Sequence, residues 1–391
     1  MKRVHRKVKT SDILGMHRQN KGAIARSRSI DHQLDEDRER RQKEIQLLIL
    51  GGAGSGKSTF IKQLRIHHGD GYPDIERSKL KSHVYDNVAD AIHVVLVSMP
   101  KFNIEFQDPH IQEIAAKFQR DCPWTVHLYR TGSPDEDETV AGKKALLLSP
   151  TNSEKVQKFN KDFITLVRTP EFKQCYAKRE EFEIPPSQGE EYFLDHLDRV
   201  MSSNYIPTLQ DILFIRKPTL GVQEHAFTVD GLDYRVIDVA GQKNQRKKWI
   251  HFFEGVTAVI FFASLSGFDE TLEEDHNLNN LQDSLQIFSE VSQNEFLDKT
   301  DIVMFLNKHD VLLSKLKKKS IKGCFPDYEG DNTPEACIKY IKDEFLRKSP
   351  QGKHIYTHVT TATNIELMKT IIQDVLHIIV EINLRKASQP Y

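Results

Sequence analysis

The stretch "LLILGGAGSGKSTFIKQLR", Leu47 to Arg65, constrains the fold more than any other part of the chain. An apolar run, "EIQLLIL" (Glu44 to Leu50), leads into glycines, and "STFIKQLRIHH" follows with apolar residues at helical spacing. Near-continuous apolar character suits a strand buried on both faces of a parallel sheet. Gly51 to Ser58 fits G-x-x-x-x-G-K-[ST] without gaps. Strand, glycine loop and helix in that order make a phosphate-binding loop. Glycines let backbone N–H groups converge on phosphate oxygens, the helix start adds its positive end, Lys57 reaches the outer phosphates and Ser58 offers a hydroxyl to Mg²⁺.

Further along, "HAFTV" and "LDYRVIDV" flank Asp230-Gly231, a two-residue hairpin signal. "TAVIFFASL" (Thr257 to Leu265), "DIVMFLN" (Asp301 to Asn307) and "HIYTHVT" (His354 to Thr360) read as further strands, each followed by a helical pattern. The alternation predicts an α/β fold with a mostly parallel sheet wrapped by helices. Residues 72 to 211 break it. Segments such as "HVYDNVADAIHVVLVSM", "HIQEIAAKFQR" and "YFLDHLDRVM" are charged and helix-periodic, and predict an inserted all-helical domain. Inside it, Cys122 to Lys144 reads as a long loop.

The 391 residues suffice for two cores. Lys plus Arg is 55 against 56 Asp plus Glu, and a net charge of −1 gives no reason to expect nucleic acid as a partner. Nine Lys or Arg between Met1 and Ile30 face one acidic residue, Asp12, so residues 1 to 43 form a basic arm leading into a solvated helix. Neither a membrane-spanning run nor a signal peptide is evident, which predicts a cytoplasmic protein. Cys122, Cys175, Cys324 and Cys337 lack paired metal spacing and read as reduced structural thiols.

"NKHD", Asn307 to Asp310, follows an apolar strand directly, at the carboxyl end where open α/β sheets bind ligands. The Asp310 carboxylate can accept both N–H donors on the edge of guanine, which adenine lacks. The Lys308 stem can lie across the base, and Asn307 can tie this loop to the phosphate loop. Joined to the phosphate loop and to "TTAT" (Thr360 to Thr363), the motif predicts GTP as the nucleotide and argues against an ATPase or kinase. "VIDVAGQ" places Asp238 at a strand end, where it can order Mg²⁺ through water, with Gln242 four residues on to position an attacking water.

"GKSTFIKQLRIHHG", "NYIPTLQDIL", "RKPTLGVQEH", "DVAGQKNQRKKWIHFFEG", "FLNKHD" and "TTAT" together resemble a heterotrimeric G-protein α subunit, from about Glu44 to Lys386. The resemblance implies a Ras-like GTPase domain with a six-stranded sheet, residues 44–71 and 212–391, interrupted by the helical domain at 72–211. It implies a receptor-coupled GTP/GDP switch that hydrolyses GTP. Arg216 is then the built-in arginine finger and Gln242 its catalytic partner, while Ser58 and Thr219 hold Mg²⁺. Nucleotide contacts fall to Gly52, Ala53, Gly54, Ser55, Gly56, Lys57, Ser58, Thr59, Thr219, Asp238, Gly241, Asn307, Lys308, Asp310 and Ala362. The implied partners are a βγ dimer and a G protein-coupled receptor read by the C-terminal helix, about Asn364 to Lys386. "YFLDHLDRV" and "SIKGCFPDYEGD" look most like the class that signals to Rho exchange factors.

The chain departs from that family in places. Most members read G-A-G-E-S-G-K-S, whereas Ala53 here replaces the second glycine and Gly54 the glutamate, a partner for Arg216. Ala240 replaces the middle glycine of D-V-G-G-Q, whose peptide is expected to bring its N–H to the γ-phosphate; the added Cβ narrows its φ and ψ. Lys2 stands where many members carry a myristoylated glycine, and no cysteine precedes Cys122, so peripheral contact with the inner face of the plasma membrane falls to the basic arm and βγ. These changes keep open a second reading, a nucleotide-occupied protein with weak turnover that sequesters βγ or receptor.

Overall fold

Three near-continuous apolar runs, Ile45–Gly51, Ala258–Ser264 and Asp301–Asn307, lie in the interior of one sheet. The computed structural model describes residues 44–121, 154–179, 181, 188–217, 219, 221–272 and 274–388. The readings that fall on the basic arm 1–43, on the whole 122–144 loop with Cys122, and on residues 389–391 lie outside them. Strand β1 (Ile45–Gly51) enters the glycine loop, and helix α1 (Lys57–His68) leaves it.

The helical layer follows. It comprises α2 (Asp74–Lys79), α3 (Lys81–Ser98), α4 (Pro109–Asp121), α5 (Glu154–Arg168), α6 (Pro170–Ala177), α7 (Gln188–Asp195), α8 (Leu197–Val200) and α9 (Leu209–Phe214). Val84, Val88, Ile92 and Val95 of α3 recur at helical spacing and are all buried, which makes α3 the spine of this layer. Phe118 and Phe163 meet edge to face across it, with ring centroids 4.6 Å apart. Its core includes Ile212 and Ile215, past the expected limit of 211, because α9 turns its apolar side toward the helices rather than the sheet.

A capping box starts α9: Thr208 Oγ1 accepts from the Asp211 N–H, and the Asp211 carboxylate accepts from the Thr208 N–H. Asp211 is fully buried and receives both terminal nitrogens of Arg199 at 2.7 Å, the Tyr192 hydroxyl at 2.7 Å and the Tyr205 hydroxyl at 3.0 Å. Burial alone would raise its pKa. The bonds from Arg199, the Thr208 N–H and Tyr192 outweigh that and hold it at about 2.

The chain then returns to the sheet through β2 (Val222–Val229), β3 (Leu232–Val239), β4 (Ala258–Ser264), a hairpin of β5 (Thr271–Leu272) and β6 (Asp275–Asn279), and α10 (Asn280–Ser292). It ends with β7 (Asp301–Asn307), α11 (His309–Leu316), α12 (Pro334–Lys348), β8 (Ile355–Val359) and α13 (Ile365–Ser388). Asp230 and Gly231 at φ 51° and 77° make the tight β2–β3 turn that their residue types predict. The six-stranded sheet runs β2-β3-β1-β4-β7-β8, with only β2 antiparallel. One face packs on α10 and α12, the other on α1 and α13. On the second face Phe60 of α1 lies 5.3 Å from Phe262 and 5.1 Å from Phe305 between ring centroids. The parallel strands therefore bring the ends of β1, β3, β7 and β8 to a single edge. The sequence pattern did not predict the β5–β6 hairpin, whose strands are short and polar.

Candidate functional site

The glycine loop is held open by its own side chains. Ser55 Oγ donates to the Gly52 carbonyl at 2.8 Å, and Lys57 Nζ donates to the carbonyls of Gly51 and Gly52 at 2.8 and 2.7 Å. Desolvation lowers the Lys57 pKa to about 8; Asp238 opposes that shift and Arg246 adds to it. Gly56 sits at φ 110°, and a Cβ there would lie 2.0 Å from Asn307 Nδ2, so only glycine lets the two loops touch. Ala53 is partly buried and is not among the residues at positive φ, so its methyl causes no backbone strain. Gly54 is exposed at φ 68° with open space around it. Thr59 lies partly buried in the first turn of α1.

Three oxygen-bearing side chains converge beside the loop. Ser58 Oγ and Thr219 Oγ1 are 2.9 Å apart, and Thr219 Oγ1 donates to Asp238 Oδ2 at 3.1 Å. Asp238 ends β3 almost completely buried; desolvation raises its pKa against the pull of Lys57. Its other oxygen, Oδ1, is buried without a hydrogen-bond partner. Two hydroxyls and an unsatisfied carboxylate oxygen are hard donors that suit Mg²⁺.

At the carboxyl end of β7, Asn307 joins two loops. Its Nδ2 donates to the Ser55 carbonyl at 2.9 Å, while its Oδ1 accepts from Thr360 Oγ1 and the Ala362 N–H, each at 3.0 Å. Gln63 Nε2 holds the Ala362 carbonyl from α1 at 2.8 Å. Lys308 adopts left-handed φ 63°, a strained conformation for a lysine of the kind that collects at binding sites. Desolvation lowers its pKa, partly balanced by Glu270, with Lys315 and Arg216 lowering it further. The Asp310 side chain stands exposed in the first turn of α11.

The loop after β3 corrects one expectation. The Ala240 N–H is not turned toward the phosphate loop: it donates to the Gly221 carbonyl at 3.0 Å, and the Ala240 carbonyl accepts from Trp249 Nε1 at 3.0 Å. Ala240 is buried and not at positive φ, so its methyl is accommodated. Gly241 is the residue against the loop. A Cβ there would lie 2.5 Å from Lys57 Nζ and 2.6 Å from the Gly51 carbonyl oxygen. Gln242 follows, extended and partly exposed, ahead of the 3₁₀ stretch Lys243–Phe252.

Sequence reasoning missed the groups that brace this loop. Arg246 donates to the Gly241 carbonyl at 3.1 Å and to both oxygens of buried Asp283 at 2.8 and 2.6 Å. The Lys243 N–H bonds Glu274 at 2.8 Å, and its ammonium pairs with Asp275 at 3.2 Å, tying the stretch to the β5–β6 turn. Asp283 sits in the first turn of α10 outside any motif, so no local signal marked it. Arg216, partly buried, is held by its backbone to Asn87, and its charge reaches Lys308.

A glycine loop after the first strand, a hard-donor cluster at its helix start and the loop after β7 locked to it define a phosphate-loop nucleotide-binding protein with an inserted helical layer. The profile of the G-protein alpha subunit family matches residues 24–379, and the chain belongs to that family. It is a guanine-nucleotide-binding α subunit of G-protein signalling. Among the described residues, no helix is long and apolar enough to cross a membrane.

Proposed function

We propose that this α subunit is a working switch that binds GTP, hydrolyses it to GDP and phosphate, and passes the state of a membrane receptor to an effector. The observation that carries the reading is the meeting of Ser58, Thr219 and Asp238 beside Lys57. Mg²⁺ held by Ser58 and Thr219 would supply positive charge to the phosphate oxygens. Lys57 would exchange its two carbonyl acceptors for outer phosphate oxygens, and Gly241 leaves the space they need. Arg216 would meet charge growing on the transferred group while Gln242 orients water, both acting chiefly in the transition state.

Residues 44–71 and 212–391 would form the GTPase unit and 72–211 the helical one. Base choice rests on Asp310, Lys308 and the Asn307 hub. By family, the partners would be a βγ dimer and a receptor; the sequence likeness of two segments adds a proposed effector of the Rho-exchange-factor kind, with α13 meeting the receptor and the basic arm the inner face of the plasma membrane. Single-turnover hydrolysis tests the reading: GTP bound in Mg²⁺ should release one phosphate, with a change in tryptophan emission. Tight binding with no phosphate released would leave a sequestering protein instead.

A further inference from the structure

The segment returning from the helical layer is gripped by its backbone where Arg216 stands. Asn87, on α3, accepts the Arg216 N–H through Oδ1 at 2.8 Å and donates Nδ2 to the Arg216 carbonyl at 3.1 Å. This two-point pairing copies a rung of a β ladder across 129 residues of sequence, and it fixes both peptides that flank the Arg216 Cα. From the opposite side, Lys62 on α1 donates Nζ to the carbonyls of Ile212 and Ile215, at 2.9 and 2.7 Å. Lys62 therefore ties α9 to the nucleotide-binding unit, whereas Asn87 holds Arg216 itself. The phosphate loop offers Arg216 no carboxylate, since residues 51 to 56 read Gly, Gly, Ala, Gly, Ser, Gly.

We propose that Asn87 is a positioning residue for GTP hydrolysis: by pairing with both backbone groups of Arg216 it sets the direction of the Cα–Cβ bond and so the reach of the guanidinium. The inference rests on the reading of Arg216 as the residue that meets transition-state charge. A peptide rotation at Arg216 is carried to the end of a long side chain, and a misplacement of about 1 Å costs on the order of 100-fold in rate. GTP affinity depends little on a group that acts in the transition state, so the loss falls on the chemical step.

The test is a double-mutant cycle read by single-turnover hydrolysis at saturating GTP, with nucleotide affinity measured in parallel. Asn87→Ala should slow hydrolysis about tenfold or more while GTP affinity stays within about threefold. Arg216→Ala should slow it further, and the double variant should be no slower than Arg216→Ala alone, because Asn87 then has nothing left to position. The isosteric Asn87→Asp keeps the acceptor for the Arg216 N–H and loses the donor; it should show a smaller slowing, and it decides the same cycle where the alanine variant does not fold. Parental rates for both Asn87 variants beside a slow Arg216→Ala overturn the positioning role and leave the GTPase reading intact. An equal slowing by Asn87→Ala in the presence and absence of Arg216 also overturns it, showing a loosened helical layer. Arg216→Ala at the parental rate removes the finger and this proposal together.

Discussion

Ser58 Oγ and Thr219 Oγ1 lie 2.9 Å apart although 161 residues separate them in the chain. The first hydroxyl is fixed by the start of α1, and the second arrives on the strand-bound side of the helical layer. Thr219→Ala should therefore leave GDP binding in place while raising the Mg²⁺ needed for the GTP-analogue response about 10- to 100-fold. A magnesium titration of tryptophan emission reads this. An unchanged midpoint would mean that Thr219 is no ligand.

Nucleotide affinity should depend on pH through Lys57. With burial setting its pKa at about 8, the ammonium is present below that pH and must be regained by proton uptake above it. GDP affinity is expected to be level below pH 8 and to weaken toward about tenfold per unit beyond it. Fold stability carries the opposite sign. An unfolded lysine titrates near 10.5, so the unfolded chain binds more protons between about 8 and 10.5 and the folded state gains over that window. A flat GDP affinity from pH 7 to 9.5 would exclude the ammonium as the phosphate partner.

Gly241→Ala and Ala240→Gly should behave differently. The first places a methyl against the Gly51 carbonyl, a backbone group that cannot step aside, and should abolish analogue-induced protection of the 242–248 segment from trypsin. The second removes a methyl from a residue at ordinary φ and should leave protection as in the parent. Enhanced protection in the glycine variant would show that Ala240 hinders the switch.

Asp211→Asn should destabilise the fold by about 2 kcal/mol, because it removes the charged acceptor from a buried position, while water reaching the part-exposed Arg199 screens the loss. Asp211 has its pKa at about 2 against an ordinary 3.8, so its contribution is complete above 3.8 and is lost as pH falls toward 2. Urea melts at pH 7 and pH 2 separate the two proteins. A gap that persists at the lower pH would assign the loss to packing.

ATP should not displace GDP, and Asp310→Asn should weaken the preference for guanine, since one of its acceptors becomes a donor. Competition binding with both nucleotides measures this. Equal displacement by ATP in the parent would remove the guanine assignment.

The fold was legible wherever one strand's burial wrote itself into consecutive residues: β7 is entirely buried and begins and ends where its apolar run does. The Asp230-Gly231 turn was equally plain, because its backbone demands those residue types. Pairings between segments distant in the chain left no such trace. Asp283 binds Arg246 across 37 residues and Asn87 binds Arg216 across 129, and neither partner carries a local pattern that names the other. The loop after β3 was read in the wrong register for a related reason. Ala240 commits both its peptide groups to Gly221 and Trp249 while Gly241 packs against the glycine loop, a distinction the motif does not carry.

Asn307 is a common keystone, one carboxamide shared by the glycine loop and the loop after β8, which on the proposed reading would hold phosphates and base. Guanosine and a pyrophosphate fragment supplied separately would each bear the full entropic cost of stiffening that joint, whereas an intact nucleotide bears it once. The affinity of the whole should accordingly exceed the product of its parts, and substitutions that loosen either loop should erode the other's discrimination. Base choice and phosphate binding would then be coupled through that one side chain.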